Sequence, residues 1–207
     1  MARAGRRRGE KERGVGGSAR EDTPAAIVEA TIAALADVGY GATSAREVAS
    51  RAGVAPGGVF YHFGSMDDLL ATVYERLMAE RLDRFATVMQ RPPAELPAAL
   101  AAATRVEFRL PSSRALLEIV VGSIDSPTLS TKVREGTDAS VTFTADALRV
   151  VAAGSPVAQA MPIELAAELA VAAFFGVEVL GKVGRSIDLD AVARLIELIA
   201  ATLTPPA

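Results

Sequence analysis

Apolar residues recur at three- and four-residue intervals along most of the chain, the period of amphipathic helices, and no segment shows the two-residue alternation of a half-buried strand. Ile27, Thr31, Ala34, Leu35 and Val38 mark a first helix, capped by Asp22 or Thr23, with Pro24 in its first turn and Gly39-Tyr40-Gly41 at its end. A second helix starts after Thr43 or Ser44 and stops at Ala52, before Gly53. The third opens at Pro56, where the missing N–H costs nothing, and places Val59 and Phe63 on one face. Ser65 and Asp68 form a capping box for a fourth, whose Leu69, Leu70, Val73, Leu77, Leu82, Phe85 and Met89 share a face up to about Gln90, where Pro92-Pro93 stop it. Further helices are predicted at about 95–110, ended by Pro111; at 112–123, capped by Ser112 or Ser113; and at 127–153, opened by Pro127 and closed by Gly154. Gly136 inside the last is a tolerated cost of about 1 kcal/mol against Ala. Two final helices, 162–182 and 188–203, are joined by a connection so short that they are expected to lie antiparallel. The predicted fold is therefore all-α, with about nine helices packed on one another.

Composition narrows the chemistry. The chain has 207 residues, enough for one large domain or two small ones, and no cysteine, so neither a disulfide framework nor a thiolate metal site is available. Net charge is −3, but residues 1–22 hold seven basic residues against four acidic ones, which leaves the remainder near −6. That glycine-rich, apolar-poor stretch is expected to be a disordered basic arm. No apolar run follows its arginines, so it does not read as a secretory signal. The most apolar segment, Leu165 to Leu180, is interrupted by Glu168 and Glu178 and falls short of a membrane span.

Catalytic constellations are missing from the pattern. The single histidine, His62, sits in the third helix, and without cysteine any Ser-His or Cys-His chemistry would have to centre there. Gly53, Gly57 and Gly58 are followed by no Gly-Lys-Ser/Thr and do not form a phosphate loop, and no cluster of His and carboxylates has zinc-ligand spacing. No enzyme activity and no cofactor are expected.

Helix, glycine-containing turn, helix over 43–63 is instead the helix-turn-helix pattern, whose second helix enters the DNA major groove. Ala52-Gly53-Val54, then Val59-Phe60-Tyr61-His62-Phe63-Gly64-Ser65 and Asp67-Asp68-Leu69, resembles the DNA-binding domain of the tetracycline-repressor (TetR) family of bacterial regulators. The resemblance covers about residues 23 to 70. It departs from the family pattern at Met66, where Lys is usual, at Gly58, where Thr is usual, and at Phe60, where Tyr is usual, so that Tyr61 becomes the candidate for the missing hydroxyl contact.

Beyond the arm that composition predicts at 1–22, the resemblance implies a DNA-binding domain at 23–64 and an effector-binding and dimerisation domain at 65–207. It implies double-stranded operator DNA, a small-molecule effector and a second copy of the chain as partners, with no membrane and a cytoplasmic location. The DNA-contacting set carried over is Thr43, Ser44, Arg46, Pro56, Gly57, Gly58, Phe60, Tyr61 and His62. Arg46 is the candidate base reader, because a guanidinium fits the guanine O6/N7 edge, and Gly57 and Gly58 would let backbone N–H groups approach a phosphate. Phe85, Met89, Arg105, Phe108, Ile124, Thr142, Phe143, Phe174 and Glu178 are the expected effector-pocket residues, with ordinary core packing as the plainer reading of each. Leu169, Ala173, Gly176, Val177 and Leu180, with Val192, Leu195, Ile196 and Ile199, are the expected dimer interface. The function so implied is a regulator, by family default a repressor, released from a palindromic operator by a largely apolar effector. The alternative is a helical small-molecule binding protein with a vestigial helix-turn-helix.

Overall fold

A computed structural model describes residues 23–155, 160–185 and 187–203. The arm expected at 1–22 lies outside the described residues. Those residues contain nine α-helices: α1 Thr23–Val38, α2 Ala45–Ala52, α3 Pro56–Phe63, α4 Met66–Val88, α5 Leu96–Glu107, α6 Pro111–Gly122, α7 Pro127–Val151, α8 Ile163–Lys182 and α9 Leu189–Leu203. Short 3-10 turns follow α1, precede α5 and follow α6, and no strand occurs among the described residues.

The ends of the first helices follow from local chemistry. Ser44 caps α2 by accepting from Glu47 N, and Gly53 closes it in the left-handed conformation at φ 68°, which a Cβ would disfavour. Ser65 Oγ accepts from Asp68 N at 3.0 Å and donates to the Asp68 carboxylate at 2.6 Å, so Ser65 caps α4; the reciprocal half of the anticipated capping box is not made, because the Ser65 N–H donates to Phe63 O at 2.9 Å. Pro111 does not end a helix but begins one. With no N–H to satisfy, it fits the first turn of α6 behind Leu110, and neither Ser112 nor Ser113 serves as the cap.

Helices α1, α2 and α3 form a small three-helix unit, with Ile27, Leu35, Val48 and Val59 fully buried at its centre. The same apolar cluster runs on without a break into Leu69, Val73 and Leu77 of α4, Leu116 and Ile119 of α6, and Leu129 of α7. Each such side chain contributes about 1.5–3 kcal/mol by leaving water, so the N-terminal unit is fused to α4, α6 and α7 rather than tethered to them. Polar ties reinforce the seam: Arg76 of α4 reaches Glu29 of α1 at 2.5 Å, and Ser126 before α7 donates to Asp67 of α4 at 2.6 Å.

Gly136 has a packing reason. Tyr74 of α4 donates to Val133 O at 3.1 Å, and a Cβ on Gly136 would lie 2.6 Å from its ring. The glycine thus lets α4 and α7 close on each other.

The last two helices differ from expectation. Helix α8 packs mainly on α7, whereas α9 packs on α5, and the two face each other across a cavity instead of forming a tight antiparallel pair. Phe108 at the end of α5 and Phe174 of α8 stack at 4.3 Å on the wall of that cavity.

Candidate nucleic-acid interface and ligand cavity

The outer faces of α2 and α3 carry the residues expected to meet DNA. Val48, Ala49 and Val59 point inward and are buried, which by helical geometry turns Arg46, Phe60, Tyr61 and His62 to solvent. Tyr61 is 83% exposed and Phe60 49%, and the Tyr61 and His62 rings meet edge to face at 4.9 Å.

Charge on this surface is sparse. Arg51 is bound to Asp37 and Glu47, both at 2.7 Å, so of the two cations in 23–64 only Arg46 stays outside an ion pair among the described residues. Thr43 and Ser44 are both engaged locally, through a bond to Gly39 O and the cap of α2. Pro56 and Gly57 are exposed at the start of α3, but Gly58 N–H is already taken by Ala55 O at 2.8 Å and is not free for a phosphate.

A cavity of about 440 Å³ lies between α4, α5, α7, α8 and α9. Phe85, Phe108, Phe143 and Phe174 line it as anticipated, joined by Phe175, which the sequence reading missed. Val177, Ala173, Val192, Leu195, Ile196 and Ile199, assigned beforehand to a dimer face, line it too, a consequence of α9 standing off from α8. Five expected lining residues lie elsewhere, among them Glu178, whose side chain is buried and not part of the cavity wall. Ile124 is 79% exposed on the 3-10 turn after α6, Thr142 is exposed and donates to Asp138 O, Met89 packs on Leu96 and Val151, and Arg105 is drawn to Asp190 at 2.9 Å. A shallower groove of about 730 Å³ runs outside, along α4 and α5, lined largely by alanines and offering fewer large side chains to a ligand.

The cavity's polar end was the least legible part. Arg81 of α4 lines it, lies 4.7 Å over the Phe174 ring, and donates to Glu107 at 2.9 Å and to Ser113 at 2.9 Å. Arg84 makes two further bonds to Glu107. Burial pushes the Glu107 carboxyl up, but the hydrogen bonds and charges of Arg84 and Arg81 outweigh that and hold it below its ordinary value. The Glu178 side chain is 7% exposed, yet neither of its oxygens accepts a hydrogen bond among the described residues, and its nearest cation is Arg81 at 3.9 Å. Burial, with Glu107 adding and Arg81 opposing, pushes it up to about 7.

Away from the cavity, Leu165, Leu169 and Leu180 of α8, with Val183 just past its end, are exposed at helical spacing, with Gly176 between them on the same stripe. At the far end of α8, Lys182 pairs with Glu118 of α6, whose other oxygen accepts the Tyr40 backbone N–H at 2.8 Å. Among the described residues no helix is long and apolar enough to cross a membrane.

A compact three-helix unit that turns two short helices to solvent, joined to a larger helical unit around a cavity, is the architecture of a helix-turn-helix protein. Residues 27–73 match the family model for bacterial regulatory proteins, tetR family, and the chain carries the DNA-binding domain of that family. It is 36% identical over 85 residues to an uncharacterized HTH-type transcriptional regulator of Mycobacterium tuberculosis, a match covering 41% of this chain and 44% of that protein. An HTH-type transcriptional repressor of the same organism is 43% identical over 58 residues, 28% of this chain and 31% of its own length. The alignments thus span less than half the length of these curated relatives. The solved structure of a TetR transcription regulator from Haloarcula marismortui superposes with a TM-score of 0.68 over 89% of this chain and 97% of that one, at 17% identity, a likeness of fold.

Proposed function

We propose that the chain is a homodimeric transcriptional regulator of the bacterial cytoplasm that binds a palindromic operator through α2 and α3 and leaves it when a largely apolar small molecule fills the cavity. The observation that carries the DNA half is the outward face of α2 and α3, where an unpaired Arg46 and the solvated Phe60, Tyr61 and His62 stand on a buried apolar base. Repression is the sign adopted, in keeping with the named repressor among the relatives.

The ligand half rests on how the cavity wall connects to the DNA-binding unit. Arg81, Leu82 and Phe85 line the cavity from α4, the helix whose first turn packs under α3. Phe174 and Val177 line it from α8, which reaches the turn before α2 through Lys182, Glu118 and Tyr40. A ligand that favours one arrangement of α4 and α8 over another must alter DNA affinity by the ratio of its affinities for the two. The exposed α8 stripe is the face offered to a second copy, since reading a palindrome needs a two-fold interface.

The test is fluorescence anisotropy on DNA flanking the chain's own gene, with a scrambled duplex as control. Saturable binding that resists competitor, with a two-fold symmetric footprint, supports the reading. Equal affinity for the scrambled duplex leaves the helical binding protein with a vestigial helix-turn-helix.

A further inference from the structure

We infer that the cavity takes an uncharged, largely hydrocarbon ligand carrying one hydrogen-bonding oxygen, which meets the hydroxyl of Thr104. The inference rests on the reading of the cavity as a ligand site and goes further by naming the ligand's polar group and its partner. Leu100, Thr104 and Phe108 all line the cavity at intervals of four residues, so they share one helical face, and the Thr104 side chain projects from the wall between two apolar neighbours. The Thr104 carbonyl accepts from Phe108 N at 3.2 Å, but its hydroxyl makes no hydrogen bond among the described residues. The other two hydroxyls on the wall have committed their protons: Ser140 donates to Gly136 O at 2.9 Å and Thr144 to Ser140 O at 2.8 Å. A hydroxyl both donates and accepts, so Thr104 suits an alcohol or a carbonyl alike.

The same wall is poor in partners for a charged ligand. Arg81 is the charged residue among those described on it, and its Nε and Nη2 are turned to Glu107 and Ser113, both at 2.9 Å and neither of them on the wall. A ligand carboxylate would have to draw Arg81 away from Glu107, and a ligand cation would find no carboxylate among the described residues of the wall. Either charge would leave water without a partner, which costs far more than burying a neutral polar group that is hydrogen-bonded. The remainder of the wall, with Phe85, Phe143, Phe175 and the α9 side chains Val192 and Ile196, fits a hydrocarbon body.

The experiment measures displacement of the neutral fluorophore N-phenyl-1-naphthylamine from the full chain by decanol, decanoate, decyltrimethylammonium and butylbenzene, the last a hydrocarbon with no oxygen. Decanol is expected to bind about tenfold or more tighter than either charged competitor. In Thr104→Val, which keeps the side chain's shape and removes the hydroxyl, decanol should weaken about three- to tenfold, the worth of one hydrogen bond, while butylbenzene is unaffected. Thr104→Ser, which keeps the hydroxyl, should bind decanol as the wild type does. Tighter binding of decanoate or decyltrimethylammonium than of decanol, an unchanged decanol affinity in Thr104→Val, or an equal loss of decanol and butylbenzene there, overturns the inference. A wild-type chain that does not take up the fluorophore overturns it together with the cavity reading. Decanol bound in the expected way with operator affinity unchanged leaves this inference standing and removes the effector role.

Discussion

Tyr40 lies flat against Gly122, so close that a Cβ on that glycine would overlap the ring. The contact joins the turn before α2 to the end of α6, and the Glu118 bond to Tyr40 N sits one turn away. Two opposite effects are therefore in play at position 122. Ala in a helix is favoured over Gly by roughly 1 kcal/mol, whereas overpacking costs roughly 1–3 kcal/mol. Gly122→Ala is expected to lower stability and operator affinity together, as read by denaturant melts and anisotropy. A stabilised variant with normal DNA binding would show that Tyr40 yields freely and that this seam does not set the position of α2.

Sequence readout falls to Arg46. Arg46→Ala should cost roughly 1–3 kcal/mol on the operator and relax base preference at one position per half-site, since a bidentate contact to guanine is lost. Tyr61→Phe should weaken binding without altering preference, because only a hydroxyl goes. Selection of operators from a randomised pool with each variant separates the two; a uniform loss across all sequences for Arg46→Ala would make it a phosphate contact.

Much of the fold was legible because each helix carries its own start and stop. Ser44, Gly53, Pro56, Ser65 and Pro127 act through neighbours within a few residues, and those ends fall where the sequence places them. The site was less legible because it is assembled by distance in space. Arg81 looks like one more polar residue on the outer side of a long helix until Glu107, Ser113 and Phe174 are brought to it from α5, α6 and α8. Likewise the apolar faces of α8 and α9 both read as surplus to one packing. Nothing in their periodicity says that α8 would pack on α7 and α9 on α5, leaving α9 on the cavity and Leu165, Leu169 and Leu180 outward.

The dimer prediction changes accordingly. Leu169→Arg and Leu180→Arg, on the outward stripe of α8, should yield monomers by sedimentation, whereas Leu195→Arg, which lines the cavity, should impair ligand binding first. Intact dimers from both α8 variants would move the interface elsewhere.

Glu178 gives the chain a pH dependence of definite sign. Its folded value is raised from 4.5 to about 7 by burial, so between those values the folded state binds more protons than the unfolded one, and stability falls as pH rises through that window. The charged groups acting on it are Arg81 from α4 and Glu107 from α5. Glu107 is held low, so its own contribution is lost only on acidification. At about 1.4 kcal/mol per unit the Glu178 penalty above pH 7 is roughly 3 kcal/mol as an upper figure. Glu178→Gln should therefore melt higher than wild type at pH 8 and nearly alike at pH 5. Equal differences at both pH values would place the carboxyl in a wetter site than the structure gives it.

The last prediction concerns where phosphate affinity comes from. Arg51 is neutralised by Asp37 and Glu47, Gly58 N–H is spent on Ala55 O, and Met66 stands at the start of α4 where the family usually has Lys. The folded DNA-binding unit is left with Arg46 and little else that is positive. Non-specific affinity for a polyanion is therefore expected to come largely from residues 1–22, whose Arg6-Arg7-Arg8 cluster precedes α1 in the chain. Each phosphate neutralised adds about 0.9 to the log–log salt slope, so a chain lacking residues 1–22 should show a slope flatter by roughly 2–4 and weaker binding at every salt concentration. Base preference should barely move, because arm contacts of this kind position the protein rather than read it. An unchanged slope and affinity would mean that the folded unit finds its cations elsewhere, with Arg51 released from Asp37 and Glu47 on DNA as the first place to look.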